Sequence, residues 1–271
     1  MSEPEYALGH SERELERLSE QEKLIGPATQ RFFREAGIEP GMRVLDVGSG
    51  AGDCALQVAA LVGDGGEVIG TDRVPAAVAA ASRRIGQRGL RNVSFRAGDP
   101  TELAFERPFD AVVGRYVLWC QADPARMLRG LTKLLRPGGV IAFHEPCWEA
   151  ARAVPSAPLY ERACHCVRET FRRLETAADM SGRLYPAFSR ASLRSPKLRL
   201  QTHLSGSSES REWLQAVAEL VESLLPAAER LGVATAAEMR IGTLAERMHR
   251  EVTALDCVVF GRSEVAAWAR V

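Results

Sequence analysis

The 271-residue chain has very few lysines and no net charge. Lys23, Lys133 and Lys197 are its lysines, so arginine supplies nearly all of the 35 basic residues, which equal the 35 acidic residues in number. Without net charge, no global electrostatic field would hold the chain on nucleic acid or on an anionic membrane surface. We therefore expect neither nucleic acid nor a membrane as a partner.

Long apolar runs are also missing. No run of about 18 apolar residues, the length that spans a bilayer as a helix, occurs in the sequence. The first 21 residues contain no basic region followed by an apolar run, the pattern of a secretory signal. The six cysteines are scattered through apolar segments, as is typical of reduced thiols in a cytosolic protein. The sequence thus predicts a cytoplasmic location.

The sequence has little that favours a metal site. Cys164 and Cys166 flank His165, but neighbours on one helix point in different directions. No second pair of ligands stands at the spacing that zinc sites use. We therefore predict no metal.

The chain does contain a regular alternation of apolar runs and amphipathic helical patterns. Its hydrophobic content of 46% is enough for one large core. The alternation is typical of parallel strands joined by right-handed crossovers. It predicts an α/β fold, with a Rossmann-like, seven-stranded, mostly parallel sheet and helices on both faces. The strand candidates are Arg43–Val47, Glu67–Thr71, Asn92–Arg96, Phe109–Val113, Val140–His144, 197–204 and 254–262.

The rhythm changes after His144. A helix of some twenty residues is predicted from Pro158, and a long helical stretch from Glu209 to Thr253 with interruptions near Pro226 and Gly232. At the other end of the chain, we predict a helical leader over residues 1–40 that acts as a lid. The cofactor-binding core is predicted over residues 41–146, 196–204 and 254–271. A helical cap over the acceptor site is predicted over residues 147–195 and 205–253.

The stretch "RVLDVGSGAGDC" places three glycines, Gly48, Gly50 and Gly52, directly after the first predicted strand. In an open parallel sheet, ligands bind beyond the carboxyl ends of the strands, where this loop lies. Glycines allow tight turning and close approach, and the helix that follows offers free backbone N–H groups. The loop is therefore expected to bind a ligand, although an NAD enzyme would use nearly the same loop.

Three aspartates indicate which ligand. Asp72 ends the second strand, where a carboxylate can accept hydrogen bonds from the two hydroxyls of a ribose. Asp99 ends the third strand and can accept from an adenine amino group, with Gly98 leaving room for the ring. Asp46 precedes the loop, where an acid orients loop amides or a ligand ammonium and would repel a pyrophosphate. The plainer alternatives are a helix cap for Asp72 and an Asx turn for Asp99.

With these residues in place, the sequence resembles the class I S-adenosylmethionine-dependent methyltransferases over roughly residues 30 to 145 and the last strand. The matching motifs are "VLDVGSGAG", Asp72, the pair Gly98 and Asp99, and "LLRPGG" before the fifth strand. "YALGHSERELERL", "GRYVLW" and "FHEP" are most similar to the small-molecule branch of bacterial natural-product metabolism. The resemblance implies S-adenosyl-L-methionine as the cofactor. The candidate cofactor-binding residues are Asp46, Gly48, Ser49, Gly50, Gly52, Asp72, Arg73, Gly98, Asp99, Pro100 and Arg115.

The acceptor is expected over the ends of the fourth and fifth strands. His144 is the candidate general base, because it ends a central strand and histidine has an unperturbed pKa near 6.5. The alternative is a packed core histidine. Glu145 is the second catalytic candidate, holding a substrate amine or orienting His144, with a structural salt bridge as the alternative. Arg115 would pair with the carboxylate of the cofactor, or lie on the surface near a loop.

Aromatic side chains favour a flat, apolar acceptor. The cluster that we assign to the acceptor side and the cap comprises Trp119, Trp148, Tyr160, Tyr185, Phe188 and Trp213, and its alternative role is ordinary cap core. Tyr6 and His10 would seal the site if the leader folds over it. The candidate substrate-binding residues are Tyr6, His10, Tyr116, Trp119, Trp148 and Tyr185.

Two other functions compete with methyl transfer to a small, aromatic acceptor. An NAD(P)-dependent oxidoreductase would use the same loop, but it favours G-x-G-x-x-G, whereas here Asp53 follows G-x-G-x-G. A non-catalytic protein could keep the S-adenosylmethionine pocket without turnover. Arsenite methylation is suggested by Cys54 alone, since the other cysteines lack a partner pattern. The acceptor, the atom methylated and the oligomeric state are left open.

Overall fold

The structure is a computed structural model that describes residues 12–271, with side chains described from residue 21 onward. Helices and strands alternate along the first half of the chain, and helices dominate the second half. The helices are α1 Glu12–Ala36, α2 Asp53–Val62, α3 Pro75–Gln87, α4 Pro124–Thr132, α5 Pro158–Arg173, α6 Leu184–Arg190, α7 Arg211–Arg230, α8 Ala236–Met239 and α9 Leu244–Ala254. The strands are β1 Arg43–Val47, β2 Glu67–Asp72, β3 Val93–Ala97, β4 Phe109–Arg115, β5 Leu135–Cys147, β6 Arg152–Val154, β7 Lys197–Gly206 and β8 Val258–Arg270.

The strands form a sheet in the order β3-β2-β1-β4-β5-β8-β6, and β7 pairs with β8. The neighbours from β3 through β5 are parallel, and β6 is antiparallel to β8. The predicted α/β class and mostly parallel sheet are confirmed. The sheet has eight strands where we expected seven, because β6 is only three residues long, too short for its pattern to indicate a strand.

The chain divides into two compact units. The sheet unit comprises residues 25–145, 180–200 and 265–271, and the helical unit comprises the described residues up to Leu24 together with 146–179 and 201–264. These limits differ from the predicted ones in both directions. Residues 25–40, placed in the leader, and residues 180–195, placed in the cap, are grouped with the sheet, whereas residues 146, 201–204 and 254–264, placed in the core, are grouped with the helical unit. The predicted role of the leader as a lid stays a prediction.

The core of the sheet unit explains the first difference. All five residues of β1 are buried, and the second half of α1 contributes Phe32, Phe33 and Ala36 to the same hydrophobic cluster as Val44 and Val58. Fully burying an aromatic side chain contributes roughly 1.5–3 kcal/mol. This half of α1 is therefore part of the core that supports the sheet.

In the helical unit, the course of α7 corrects one prediction. We expected an interruption near Pro226, but α7 continues through it to Arg230. Leu224, Ala227 and Ala228 are buried around this proline, and their packing outweighs the loss of its N–H group. The helix ends before Gly232, whose φ of +65° is the left-handed conformation that glycine adopts readily.

The length of α5 and the start of β5 also differ from the predicted ones. α5 has 16 residues rather than some twenty. The turn expected at "LLRPGG" is part of β5, where the register shifts so that Phe109 pairs with Leu135 and Ala111 with Val140. Gly138 in this irregular segment has a φ of +77°. The two glycines therefore lie in an irregular segment of the strand, where its pairing with β4 shifts.

Candidate active site

The glycine loop between β1 and α2 has left-handed backbone at all three predicted positions. The φ values are +65° at Gly48, +52° at Gly50 and +89° at Gly52, a conformation that side chains other than glycine rarely adopt. A Cβ atom on Gly48 would lie 2.8 Å from Val117 Cγ2, and one on Gly52 would lie 3.1 Å from Phe95. A Cβ on Gly50 would meet nothing within 4 Å, so there is open space beside this residue.

Asp72 holds this loop in place. Its Oδ2 accepts a hydrogen bond of 2.9 Å from the N–H of Gly50, and its Oδ1 accepts one of 2.9 Å from the N–H of Val74, just before α3. The capping role that we considered is therefore present. A carboxylate offers about four acceptor positions, so Asp72 retains capacity for a ligand hydroxyl beside Gly50.

Asp99 makes the Asx turn that we named as the alternative. It accepts hydrogen bonds from the N–H and the hydroxyl of Thr101, at 2.8 and 2.7 Å. It also forms an ion pair of 2.8 Å with Arg73. Partial burial raises the pKa of Asp99, but these hydrogen bonds and the charge of Arg73 together lower it below its ordinary value. The preceding Gly98 has a φ of +128°, and Pro100 is buried. Contact of Asp99 with adenine stays a prediction.

Asp46 is completely buried, and neither of its carboxylate oxygens has a hydrogen-bond partner within ordinary geometry among the described residues. The hydroxyl of Ser49 donates instead to the backbone oxygen of Asp46, at 3.0 Å. Burial raises the pKa of Asp46 to about 6, although Cys54, Ser49 and the charge of Arg115 oppose this shift. A buried anion without a full set of partners is typical of a site that awaits a cationic or donor group.

Asp46→Asn should stabilise the ligand-free protein at neutral pH. The folded pKa of about 6 lies above the ordinary aspartate value of 3.8, so the folded state binds a proton more tightly and stability falls as pH rises from 3.8 to 6. Above pH 6 the buried charge costs roughly 3 kcal/mol, at 1.36 kcal/mol per pKa unit. Urea unfolding at pH 7.5 should show a gain of about 2–3 kcal/mol that shrinks at pH 4.5. An equal gain from Asp64→Asn, which alters an exposed carboxylate, or no gain at all, would contradict this interpretation.

The loop after β4 departs from regular backbone at Tyr116, whose φ is +58°. For a bulky residue this conformation costs of order 1–3 kcal/mol and is concentrated at functional sites. The N–H of Tyr116 donates a 2.8 Å hydrogen bond to the carbonyl of His144, and its own carbonyl accepts a 2.8 Å hydrogen bond from Trp119 Nε1. The strained residue is thus held from both sides.

Glu145 anchors the same loop. This carboxylate is fully buried and accepts hydrogen bonds from the N–H groups of Val117 (3.1 Å), Leu118 (2.8 Å) and Trp119 (3.2 Å). These amides open the 3₁₀ turn Leu118–Cys120, and a negative charge at such an N-terminus is favourable. The contacts describe an anchor, which is none of the three roles that we weighed; action on the substrate stays a prediction.

His144 is completely buried at the end of β5. Its Nδ1 lies 3.1 Å from the hydroxyl of Thr29, and the rings of Phe32 and Tyr116 approach it edge-on, with centroids 5.1 and 5.5 Å away. Arg115 Nη1 donates a 3.1 Å hydrogen bond to the same Thr29 hydroxyl. Arg115 is therefore half-buried beside His144 rather than lying free on the surface.

Thr29 is a site residue that our sequence reasoning missed. It belongs to α1, and it is fully buried on the face that also buries Ile25, Ala28 and Phe32. A polar side chain among apolar ones at helical spacing was the available signal, because buried hydroxyls need partners. The sequence could not show that those partners lie on β4 and β5, 86 and 115 residues away.

The predicted aromatic cluster is largely packed core. In the helical unit, the ring centroids of Trp148 and His203 lie 5.9 and 5.2 Å from that of Trp213, and Arg262 lies over Trp148. The indole of Trp213 donates to the hydroxyl of Tyr160 at 2.9 Å. In the sheet unit, Phe188 is buried and Tyr185 is 52% exposed. Tyr116 packs edge-on against His144, and the N–H of Trp119 donates to Glu145. Tyr6 and His10 lie outside the described residues.

Three further predictions from the sequence concern membrane spans, metal ligands and the cysteines. None of the helices in residues 12–271 is both long and apolar enough to cross a membrane. Within the same range, no group of three or more potential ligands is arranged to bind a metal ion. None of the six cysteines, all of which lie in the described part of the chain, forms a disulfide. The exposed side chain of His165 stands between Cys164 and Cys166, both of which are buried.

Comparison with known proteins gives a consistent picture. A family model described as a methyltransferase domain matches residues 38–192. Aklanonic acid methyltransferase DauC of Streptomyces is 38% identical over 111 residues, which are 41% of this chain and 50% of DauC. The ubiquinone/menaquinone biosynthesis C-methyltransferase UbiE of Shewanella oneidensis is 33% identical over 124 residues, 44% of this chain and 49% of UbiE. The chain thus spans about half the length of these relatives.

A solved structure shares the fold at lower sequence similarity. The YcgJ protein of Bacillus subtilis aligns with a TM-score of 0.56 and 18% identity, over 90% of this chain and 97% of YcgJ. At this identity the likeness concerns the fold alone.

Proposed function

The chain belongs to the methyltransferase domain family, as a class I S-adenosylmethionine-dependent methyltransferase, and from this premise we propose that it transfers a methyl group from S-adenosylmethionine to a small organic acceptor. The observation that carries the proposal is the geometry at Gly50. Its left-handed backbone has open space beside it, and its N–H is fixed by the carboxylate of Asp72. The glycine loop is thus shaped to let a ligand approach its backbone.

The residues around this loop fit the cofactor. Asp46 offers two buried oxygens that make no hydrogen bond of ordinary geometry to the described residues, which suit the ammonium of the methionyl group. Asp72 has remaining acceptor capacity for the ribose hydroxyls, and Asp99 follows β3, where we place the adenine. When bound, the cofactor supplies an electrophilic methyl group on sulfur that is a good leaving group. Arg115, through its charge beside Asp46, is placed to attract the methionyl carboxylate.

The dinucleotide alternative fits less well. The third glycine of G-x-G-x-x-G would stand where this chain has Asp53. That residue is buried and forms a 2.6 Å ion pair with Arg84. A fixed carboxylate at the start of α2 would repel a pyrophosphate, which otherwise binds at this helix N-terminus. Methyl transfer therefore remains the better function for this loop.

Methyl transfer first requires that the acceptor atom is aligned with the bond between the methyl carbon and sulfur. The attacking atom must lie opposite the sulfur, roughly 3 Å from the methyl carbon. The ends of β4 and β5 provide the walls, where Glu145 holds the backbone of Trp119 and the carbonyl of His144 holds that of Tyr116. If the acceptor must lose a proton, His144 is placed to take it, and a general base contributes about 10² to 10⁴ in rate. An amine or a thiolate would need only the alignment.

We propose a flat, aromatic acceptor of bacterial secondary metabolism. The names of DauC and UbiE, which include aklanonic acid and ubiquinone/menaquinone, support an organic acceptor of this kind. The nearness of Tyr116 to His144, with the indole of Trp119 bonded to the carbonyl of Tyr116, supports a flat ring. Incubation with methyl-labelled S-adenosylmethionine and a panel of phenols, quinols and amines, followed by mass spectrometry, tests the class. Cofactor binding without label transfer to any of them would favour the non-catalytic alternative.

Asp72→Ala should weaken the binding of S-adenosylhomocysteine by about 1.5–3 kcal/mol, the range for a hydrogen bond to a charged group. This corresponds to roughly 10- to 150-fold in Kd, because the variant loses both the ribose acceptor and the fixed N–H of Gly50. Isothermal titration calorimetry measures the change.

Asp123→Ala is the matched control. Asp123 also accepts a backbone N–H at a helix start, from Arg126 at 3.0 Å, and it is exposed at the N-terminus of α4. We expect its loss to leave the affinity unchanged. Equal affinity in Asp72→Ala and the native protein would remove Asp72 from the site, and tighter binding of NAD than of S-adenosylhomocysteine would overturn the function.

A further inference from the structure

The hydroxyl of Thr29 has three polar neighbours, each of which lies in the sheet unit. Its Oγ1 is 3.2 Å from the carbonyl oxygen of Ile25, 3.1 Å from Arg115 Nη1 and 3.1 Å from His144 Nδ1. Thr29 and His144 are fully buried. Each hydrogen bond contributes about 0.5–1.5 kcal/mol net, so the arrangement that makes all three is favoured.

Only one arrangement of protons satisfies all three contacts. A hydroxyl has one hydrogen to donate and two lone pairs to accept with. The carbonyl of Ile25 can only accept, so it takes the hydroxyl hydrogen. The guanidinium of Arg115 can only donate, so it occupies one lone pair. The remaining lone pair faces Nδ1, and the contact is a hydrogen bond only if Nδ1 carries a proton.

We propose that Thr29 is a positioning residue that holds His144 in the Nδ1–H form and so leaves the lone pair on Nε2. The inference rests on the proposed function, in which His144 is the general base. A histidine acts as a base through the nitrogen without a proton, and the partner of the other nitrogen decides which one that is.

The same bond supports both states of the ring. During transfer, the acceptor X–H bond breaks, its electron pair forms the new bond to the methyl carbon, and the pair of the carbon–sulfur bond stays on sulfur. The proton goes to the lone pair of Nε2. Nδ1–H donates to Thr29 before and after this step, so no hydrogen bond has to be exchanged. Arg115 and Ile25 keep the Thr29 oxygen oriented throughout.

The position of Thr29 on α1 explains why the hydroxyl is well placed. Its bond to the carbonyl of Ile25 spans one helical turn, a pairing that helical threonines commonly make. The opposite edge of Oγ1 then faces β4 and β5, where Arg115 and His144 are neighbours in register. Phe32, one turn further along α1, packs edge-on against the imidazole and limits its rotation.

Thr29→Val in the full chain tests the proposal, because valine has nearly the same shape without the hydroxyl. With a phenol or quinol acceptor, kcat should fall about tenfold or more, while Kd for S-adenosylhomocysteine stays within about twofold, since the wrong tautomer affects only the chemical step. Thr29→Ser restores the hydroxyl and should recover most of kcat. The pH profile of kcat should lose its rise through the histidine range in Thr29→Val and retain it in Thr29→Ser.

Nuclear magnetic resonance of ring-¹⁵N histidine reads the tautomer directly, with the His144 signals assigned by their loss in His144→Gln. We expect the Nδ1–H form in the native protein and in Thr29→Ser, and a shift toward Nε2–H in Thr29→Val. An Nε2–H form in the native protein overturns the proposal, as does an unchanged kcat in Thr29→Val. If no acceptor is methylated, the proposed function fails, whereas the nuclear magnetic resonance spectra still decide whether Thr29 sets the tautomer.

Discussion

Replacing Glu145 with alanine should lower the free energy of unfolding by about 4 kcal/mol. The substitution leaves the buried N–H groups of Val117, Leu118 and Trp119 without their acceptor. Each such group costs roughly 1–3 kcal/mol. We expect less than the full sum because water can enter the vacated space and bind some of these groups. Urea unfolding at pH 7.5, followed by circular dichroism, measures the loss.

Glu145→Gln separates anchoring from action on the substrate. The amide oxygen of glutamine can still accept from two backbone N–H groups, so we expect a loss of only about 1–2 kcal/mol and a kcat near that of the native enzyme. If Glu145 instead holds a substrate amine, Glu145→Gln should be nearly as stable as the native protein but at least about 10²-fold slower. A Glu145→Ala protein within 1 kcal/mol of native stability would refute the anchor.

His144→Gln should reduce kcat by about 10² or more, provided that the acceptor must lose a proton. Glutamine can keep the hydrogen bond to Thr29 but cannot take a proton at neutral pH, so Kd for S-adenosylhomocysteine should stay unchanged. The kcat of the native enzyme should rise with pH, because only the deprotonated imidazole can take a proton. Arg115, through Thr29, and Tyr116 are charged or titratable groups that lie against the ring. Single-turnover rates at saturating cofactor, over pH 5.5 to 9, test this.

His165→Gln is the control, because His165 is an exposed residue of α5 and its replacement should leave kcat unchanged. If His144 is only a packed core residue, His144→Gln should be less stable, with a kcat per folded molecule close to the native value. A pH-independent kcat together with an active variant would assign the acceptor to the amines or thiolates, which alignment alone can methylate.

The fold was predictable where local patterns decide it. The apolar run of β1 and the glycines that follow it stand next to each other in sequence, and the left-handed φ of Gly50 is a local property of the chain. The extent of α1 was predictable only in part. Its second half joins the sheet core because Phe32 and Phe33 pack against residues from the strands, a preference that no local pattern expresses.

The candidate site was less predictable because its contacts are distant in sequence. Asp72 reaches Gly50 across 22 residues, and Glu145 reaches Leu118 across 27. A sequence shows that a carboxylate follows a strand, but not whether it meets a ligand or a backbone amide. The tryptophans illustrate the same limit, since Trp148 and Trp213 fill the core of the helical unit with side chains that would equally suit a binding pocket.

β5 also illustrates how a buried strand finds its alignment. From Val140 to Cys147 every residue of this strand is buried, so its apolar residues do not alternate with polar ones and cannot select one pairing with β4 over another. Adjacent side chains of a strand point to opposite faces; His144 contacts Thr29, and Glu145 contacts the amides after β4. A shift by one residue would exchange them, leaving an imidazole beneath three N–H donors and a carboxylate where only a donor fits. The contacts of His144 and Glu145 therefore favour the observed alignment of β5 with β4 over one that is shifted by a residue.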